Sequence, residues 1–200
     1  MTRRRGRPPL TDAEVAAQKD RIAKVAERLF REEGYAAISM RRLAQAAGCA
    51  PMTLYAYYPS KAAILQTIWS GFFDELFAGL EREAEAIRDP KPALLALSRA
   101  YAAYWIEHPD RYAMVYMTEG VSPEEVGAFV EQSGAVERHR LFLDLIAKAD
   151  PSLEDHEVKA RGEVLVSALQ GIAYNHITTT GAYPWEPADR LVDTLVDRLV

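Results

Sequence analysis

Between Ser39 and Pro59 the chain has little conformational choice. Ser39 can cap a helix, Leu43, Ala46 and Ala47 give that helix one apolar side, and Gly48 suits the left-handed position that ends it. Three residues later Pro51 fits the first turn of a second helix, where its missing N–H costs nothing, and Pro59 stops that helix after about two turns. The pattern predicts two short helices joined by a tight turn. Neither is long enough to be stable alone, so both must brace each other and a neighbour. Upstream, Ile22, Val25, Ala26, Leu29 and Phe30 recur at helical spacing up to Gly34 and supply that neighbour.

Downstream, Ser60 caps a long amphipathic run carrying Ile64, Leu65, Ile68, Trp69, Phe72, Phe73, Leu76, Phe77 and Leu80, which Asp89-Pro90 interrupts. Helical patterns follow from Ala93 to Glu107, from Pro123 to Ala149, from Glu154 to about Thr180 and from Pro187 to Val200. Strand-like alternation is absent. The fold class read from these periods is all-α, with three regions: a basic leader over 1–18, a three-helix unit over 19–62, and a larger helical domain over 63–200.

Charge divides along the same line. The chain carries −5 overall, yet residues 1–62 hold 12 Lys/Arg against six Asp/Glu, whereas residues 63–200 hold 12 against 23. A basic module joined to an acidic body is the electrostatic footprint of a protein that meets nucleic acid at one end only. Two short helices with a tight turn present one of them to a major groove about 12 Å wide while the other braces it. On the second helix Leu54 faces inward, leaving Pro51, Met52, Thr53, Tyr55 and Tyr57 on or beside the outer arc. Their methyl and hydroxyl groups suit thymine methyls and phosphates. Arg41 can reach a base edge or phosphate, and Lys61 adds its charge to the dipole of the helix it begins. Tyr58, next to Pro59, is expected in the core.

The segment Ile38–Leu65 resembles the helix-turn-helix signature of TetR-family repressors. It has the A-x-x-A-G turn as Ala44 to Gly48, the T-L-Y of the recognition helix as Thr53-Leu54-Tyr55, and the S-K start of the next helix as Ser60-Lys61. The resemblance implies DNA contact by Ser39, Arg41, Pro51, Met52, Thr53, Tyr55, Tyr57 and Lys61. Here Tyr57-Tyr58 stands where His-Phe is usual, and Ala50 where a hydroxyl or Gly is usual. The leader adds R-G-R-P with Arg5 and Arg7, which resembles the core of an AT-hook for a narrow A·T-rich minor groove. A basic leader that only raises non-specific affinity fits the same residues.

In the acidic body, aromatic and sulfur-bearing residues crowd one region. Trp69, Phe73, Tyr101, Trp105, Tyr112 and Met117 are expected to line an apolar pocket with a few orienting hydroxyls. His108-Pro109 with Tyr112 also resembles an H-P-x-x-Y stretch in the ligand domain of one TetR subgroup. The last two patterns carry apolar rows, and the family resemblance implies that Leu165, Ala168, Leu169, Ile172, Leu195 and Leu199 form a four-helix interface between two copies.

Catalysis finds no support. His108, His139, His156 and His176 are scattered, no nucleophile elbow, phosphate loop or dinucleotide fingerprint is present, and no metal or cofactor is implied. With one cysteine, Cys49, and no apolar run of membrane-spanning length, the chain reads as cytoplasmic. The expected function is that of a homodimeric, sequence-specific transcriptional regulator. It would act as a repressor on a pseudo-palindromic double-stranded operator and be released by a small apolar or aromatic effector. A non-specific architectural DNA-binding protein is the alternative.

Overall fold

The computed structural model describes residues 11–200, so Arg5 and Arg7 lie outside the described residues. Among the described residues the chain forms ten helices and no strand: α1 (Asp12–Glu33), α2 (Met40–Ala46), α3 (Pro51–Tyr57), α4 (Lys61–Glu85), α5 (Pro90–Glu107), α6 (Pro109–Tyr116), α7 (Pro123–Gln132), α8 (Ala135–Ala149), α9 (Asp155–Thr178) and α10 (Ala188–Leu199). The chain divides into two compact units. One holds the residues up to Trp69 together with Thr118–Ser122; the other holds Ser70–Met117 and Pro123–Val200.

The first unit is the three-helix arrangement the sequence suggests, closed by the first turns of α4. Its core is Ile22, Ala26, Leu29 and Phe30 of α1, Leu43 and Ala44 of α2, Leu54 of α3, and Ile64, Leu65 and Ile68 of α4. Two boundaries differ from expectation. Helix α1 starts at Asp12, well inside the stretch assigned to the leader. Thr11 and Glu14 form a reciprocal capping box, with Thr11 N–H donating to Glu14 Oε2 at 2.8 Å and Glu14 N–H donating to Thr11 Oγ1 at 3.3 Å. The cap fixes the start ten residues before Ile22, the first of its buried residues. Downstream, α4 runs unbroken past residue 62, and its turns up to Trp69 group with the three-helix unit.

In the second unit α5 is the central element, packing against α8, α9 and α10, while α9 also packs against α8 and α10. Its buried surface is nearly all apolar. Leu94, Leu97, Tyr101 and Trp105 of α5 meet a layer built from Phe142, Ile146, Leu165, Leu169, Ala173, Val192 and Val196. Each such side chain contributes about 1.5–3 kcal/mol of burial. Ser98, polar and fully buried, donates its hydroxyl to the Leu94 carbonyl at 2.7 Å and so leaves no orphan donor. At the rim, Arg99 grips Asp193 of α10 bidentately, at 2.7 and 2.5 Å.

Two helix assignments needed correction. His108-Pro109 does end α5, but Pro109 is also the first residue of α6, because a proline at that position donates nothing the helix needs. The apolar period from Pro123 to Ala149 covers two helices. Gly134, at φ 64°, occupies the left-handed region between α7 and α8 and breaks the ladder inside a continuous sequence pattern.

Candidate functional site

The turn between α2 and α3 is built from its ends. Ser39 Oγ accepts the Arg42 N–H at 3.2 Å, which opens α2. Gly48, at φ 65°, turns the chain, and the Cys49 N–H closes back on the Ala44 carbonyl at 3.0 Å. Helix α3 has no side-chain cap at Ala50 and relies on Pro51 at its first turn. Of its seven residues only Leu54 is buried, at 0% exposure. Met52 is 80% exposed and Tyr55 49%, an unusual surface for a helix this short to offer water. Thr53 and Pro51 are exposed beside them, Tyr57 is half-buried, and Ser39 and Arg41 are exposed on the α2 side. Pro51, Met52, Thr53 and Tyr55 therefore share one solvent-facing surface of α3.

Tyr58 lies in the core, donating its hydroxyl to the Lys19 carbonyl at 3.2 Å, and burial pushes its phenol above the usual value. Arg42, next to Arg41, is taken up by an ion pair with Glu33 at 2.6 Å. Lys61 is where geometry departs most from expectation. Its Nζ donates to the Tyr35 carbonyl at 2.7 Å and stands 4.0 Å above the Tyr35 ring, so the ammonium ties the start of α4 to the loop after α1.

In the second unit four of the six residues expected to line a pocket are brought together, but as a packed cluster. Trp105 stands at its centre, with Phe73 at 5.7 Å, Tyr101 at 6.4 Å and Tyr112 at 5.8 Å between ring centroids, all edge-on. Trp69 is buried but belongs to the other unit, and Met117, the residue that ends α6, is 46% exposed and does not join. Tyr116, not one of the six residues expected to line the pocket, does join, 5.4 Å from Trp105 and 4.8 Å from Tyr112. Gln170 of α9 was also missed; nothing in its spacing distinguishes it from a surface amide. Its Nε2 lies 3.4 Å from the Tyr101 hydroxyl and 3.3 Å from that of Tyr116, and its backbone carbonyl accepts from the Tyr112 hydroxyl at 3.2 Å. The Trp105 indole N–H is buried with no hydrogen-bond partner.

Beside this cluster a cleft of about 420 Å³ opens between α7, α8 and α9, walled by Val130, Phe142, Leu143 and Val166, with Gln170 in its lining. That is within the range of small-molecule sites, about 300–1,000 Å³.

The residues expected at an interface between copies also separate. Leu165 and Leu169 are fully buried in this chain's own core, because they share the α9 face that carries Val158 and Ala173. They are unavailable to a partner. Ala168, Ile172, Leu195 and Leu199 are half-buried, and the outward shoulder of α9 is completed by Val164, Gly171, Asn175 and Thr178. Val164, Ala168, Gly171, Asn175 and Thr178 follow one another at spacings of four and three, the seam period of packed helix pairs.

Residues 22–68 match the tetR family of bacterial regulatory proteins. The chain is similar to the HTH-type transcriptional repressor KstR2 of Mycolicibacterium smegmatis, with 23% identity over 139 residues, covering 69% of this chain and 67% of that protein. It is also similar to the transcriptional activator FasR of the same organism, with 25% identity over 177 residues, covering 88% and 75%. Its fold is shared with Thermus thermophilus FadR, a repressor whose structure was solved in complex with lauroyl-CoA, at a TM-score of 0.66 and 22% identity over 90% of this chain and 92% of that one. The match over residues 22–68 gives this chain a helix-turn-helix of the tetR type, and the relatives it resembles are transcription regulators.

Proposed function

We propose that this regulator is a cytoplasmic homodimeric repressor that places α3 in the major groove of a pseudo-palindromic operator and leaves it when a small, largely apolar effector occupies the second unit. The observation that carries the DNA-binding part is the surface of α3. A seven-residue helix anchored by Leu54 alone, with Met52 80% and Tyr55 49% exposed, has its largest side chains where folding has no use for them. Methyl and methylthio groups against thymine methyls, and a phenol against phosphate, give them one. Arg41 and the positive charge of Lys61 supply backbone contacts.

The seam of small and apolar residues on α9, beside half-buried Leu195 of α10, supports pairing of two copies. Such a dimer would set its two recognition helices about 34 Å apart, one helical turn of DNA. Effector control is supported by the cleft at Gln170 and by the FadR relative that binds lauroyl-CoA. Helix α4 contributes residues to both units, so a ligand that prefers one arrangement of that helix must alter DNA affinity by linkage, typically 1–3 kcal/mol. The curated relatives include a repressor and an activator; repression is the reading taken here.

Selection of bound sequences from randomised double-stranded DNA tests the proposal. The expected product is a two-fold symmetric site whose affinity drops at least ten-fold in Tyr55→Ala, a residue exposed enough to leave stability intact. Binding without sequence enrichment would mean a non-specific architectural protein instead.

A further inference from the structure

The cleft beside Gln170 restricts what its ligand can be. Its walls are apolar on three helices: Val130 from α7, Phe142 and Leu143 from α8, Val166 from α9. His139 joins the lining as a ring, 5.5 Å from Phe77 and 6.5 Å from Phe142. Fixed charge enters through Lys159 and Glu163, one turn apart on α9, which pair with each other at 3.6 Å, and His139 is the other titratable side chain in the lining. A carboxylate placed there would gain Lys159 and be repelled by Glu163; a cation would meet the reverse. Neither sign finds the unopposed partner that a desolvated ion requires.

Seven residues further along α9, about 10 Å at 1.5 Å per residue, stands Gln170. Its amide nitrogen holds only two long contacts, 3.4 and 3.3 Å, to the Tyr101 and Tyr116 hydroxyls, where a well-made bond lies near 2.9 Å. An acceptor arriving in the cleft can take one of its protons with better geometry than either phenol does. Near those phenols sits the Trp105 indole, whose buried N–H has no partner and whose ring lies 5.4 Å from that of Tyr116. This end of the site is rich in donors without committed acceptors.

We infer that the cleft binds an uncharged, elongated, mainly apolar molecule with a carbonyl-type acceptor at one end, which takes a hydrogen bond from Gln170. This rests on the reading of the second unit as the effector-binding one and narrows it to a chemical class: ketones, lactones and similar neutral acceptors in preference to acids or amines. The cleft lies about a third of a turn around α9 from the Val164–Thr178 seam, so pairing along that seam leaves it open.

Titration calorimetry of the full chain with three eight-carbon probes, 2-octanone, octanoate and octylammonium, tests the class without any DNA present. The ketone is expected to bind at least ten-fold tighter than either ion, Gln170→Leu to weaken it about ten-fold, and Val166→Trp to abolish it. Ser167→Trp, from an exposed position on the same cleft, does the same duty if Val166→Trp does not fold. Octanoate or octylammonium binding as tightly as the ketone, or undiminished ketone binding when the cleft is filled, would overturn the inference. The regulatory reading is judged separately, by whether saturating ketone changes DNA affinity.

Discussion

Lys61→Met separates two roles that the sequence merged. The substitution keeps the aliphatic stem and removes the ammonium, which donates to the Tyr35 carbonyl at 2.7 Å and sits 4.0 Å above the Tyr35 ring. A hydrogen bond from a charged donor contributes about 1.5–3 kcal/mol, and a half-buried cation–π contact adds about 0.5–2; the Tyr35 carbonyl keeps the Ile38 N–H at 3.2 Å. The two share one ammonium and do not simply add, so a loss of about 2–3 kcal/mol is expected. For a chain of 200 residues that lowers Tm by roughly 4–12 °C, measurable by circular dichroism without unfolding the protein at 25 °C. Lys61 also begins α4 and carries a charge beside the recognition helix, so the salt dependence of operator binding should flatten by about one phosphate contact at a temperature where the variant is fully folded. The two readouts are independent. An unchanged Tm would refute the tie to Tyr35, and an unchanged salt slope with a lowered Tm would leave Lys61 a purely structural residue.

On α3, Leu54→Ala should cost about 2–5 kcal/mol through the cavity it leaves, whereas Met52→Ala should stay within about 0.5 kcal/mol in chemical denaturation yet still weaken operator binding. Val164→Asp places a charge on the proposed seam without touching the monomer core, and sedimentation velocity should show the dimer dissociating at micromolar concentration; an unaltered dimer would move the interface elsewhere. Burial holds the Tyr58, Tyr104 and Tyr112 phenols above their ordinary value, with Arg111 partly opposing the effect at Tyr104. A raised folded-state value means stability that is complete below about pH 10 and lost as pH rises through the shifted values. Absorbance at 295 nm should therefore show these tyrosines ionising late and together with unfolding; all three phenols titrating at the ordinary value in the folded protein would contradict their burial.

What could be read from the sequence was what is decided locally. Ser39, Gly48, Pro51 and Leu54 each act within a few residues of themselves, and the two short helices and their turn follow from those four. Proline and glycine were harder wherever the same residue fits two structures. Pro109 is equally a stop for α5 and a start for α6, and Gly134 sits inside an apolar period that says nothing of a break. Longer-range facts left no local trace. The Tyr35 carbonyl that occupies Lys61 is 26 residues away, and the Tyr101 and Tyr116 hydroxyls that hold Gln170 are 69 and 54 away.

The α9 row shows why such a limit is physical. Leu165 and Leu169 were expected at the interface along with Ala168, Ile172, Leu195 and Leu199, yet their apolar bulk on the inward face of α9 draws them into this chain's own core. A surface that must stay soluble before it meets a partner tends to carry smaller groups, as Val164, Ala168 and Gly171 do. Size therefore points toward the core and spacing toward the interface, so the two have to be weighed separately. If Val164→Asp dissociates the dimer while Ile172→Asp, on the half-buried side of the same helix, mainly lowers Tm, that distinction holds. If both act only on stability, the seam is an ordinary exposed face and pairing must use another surface.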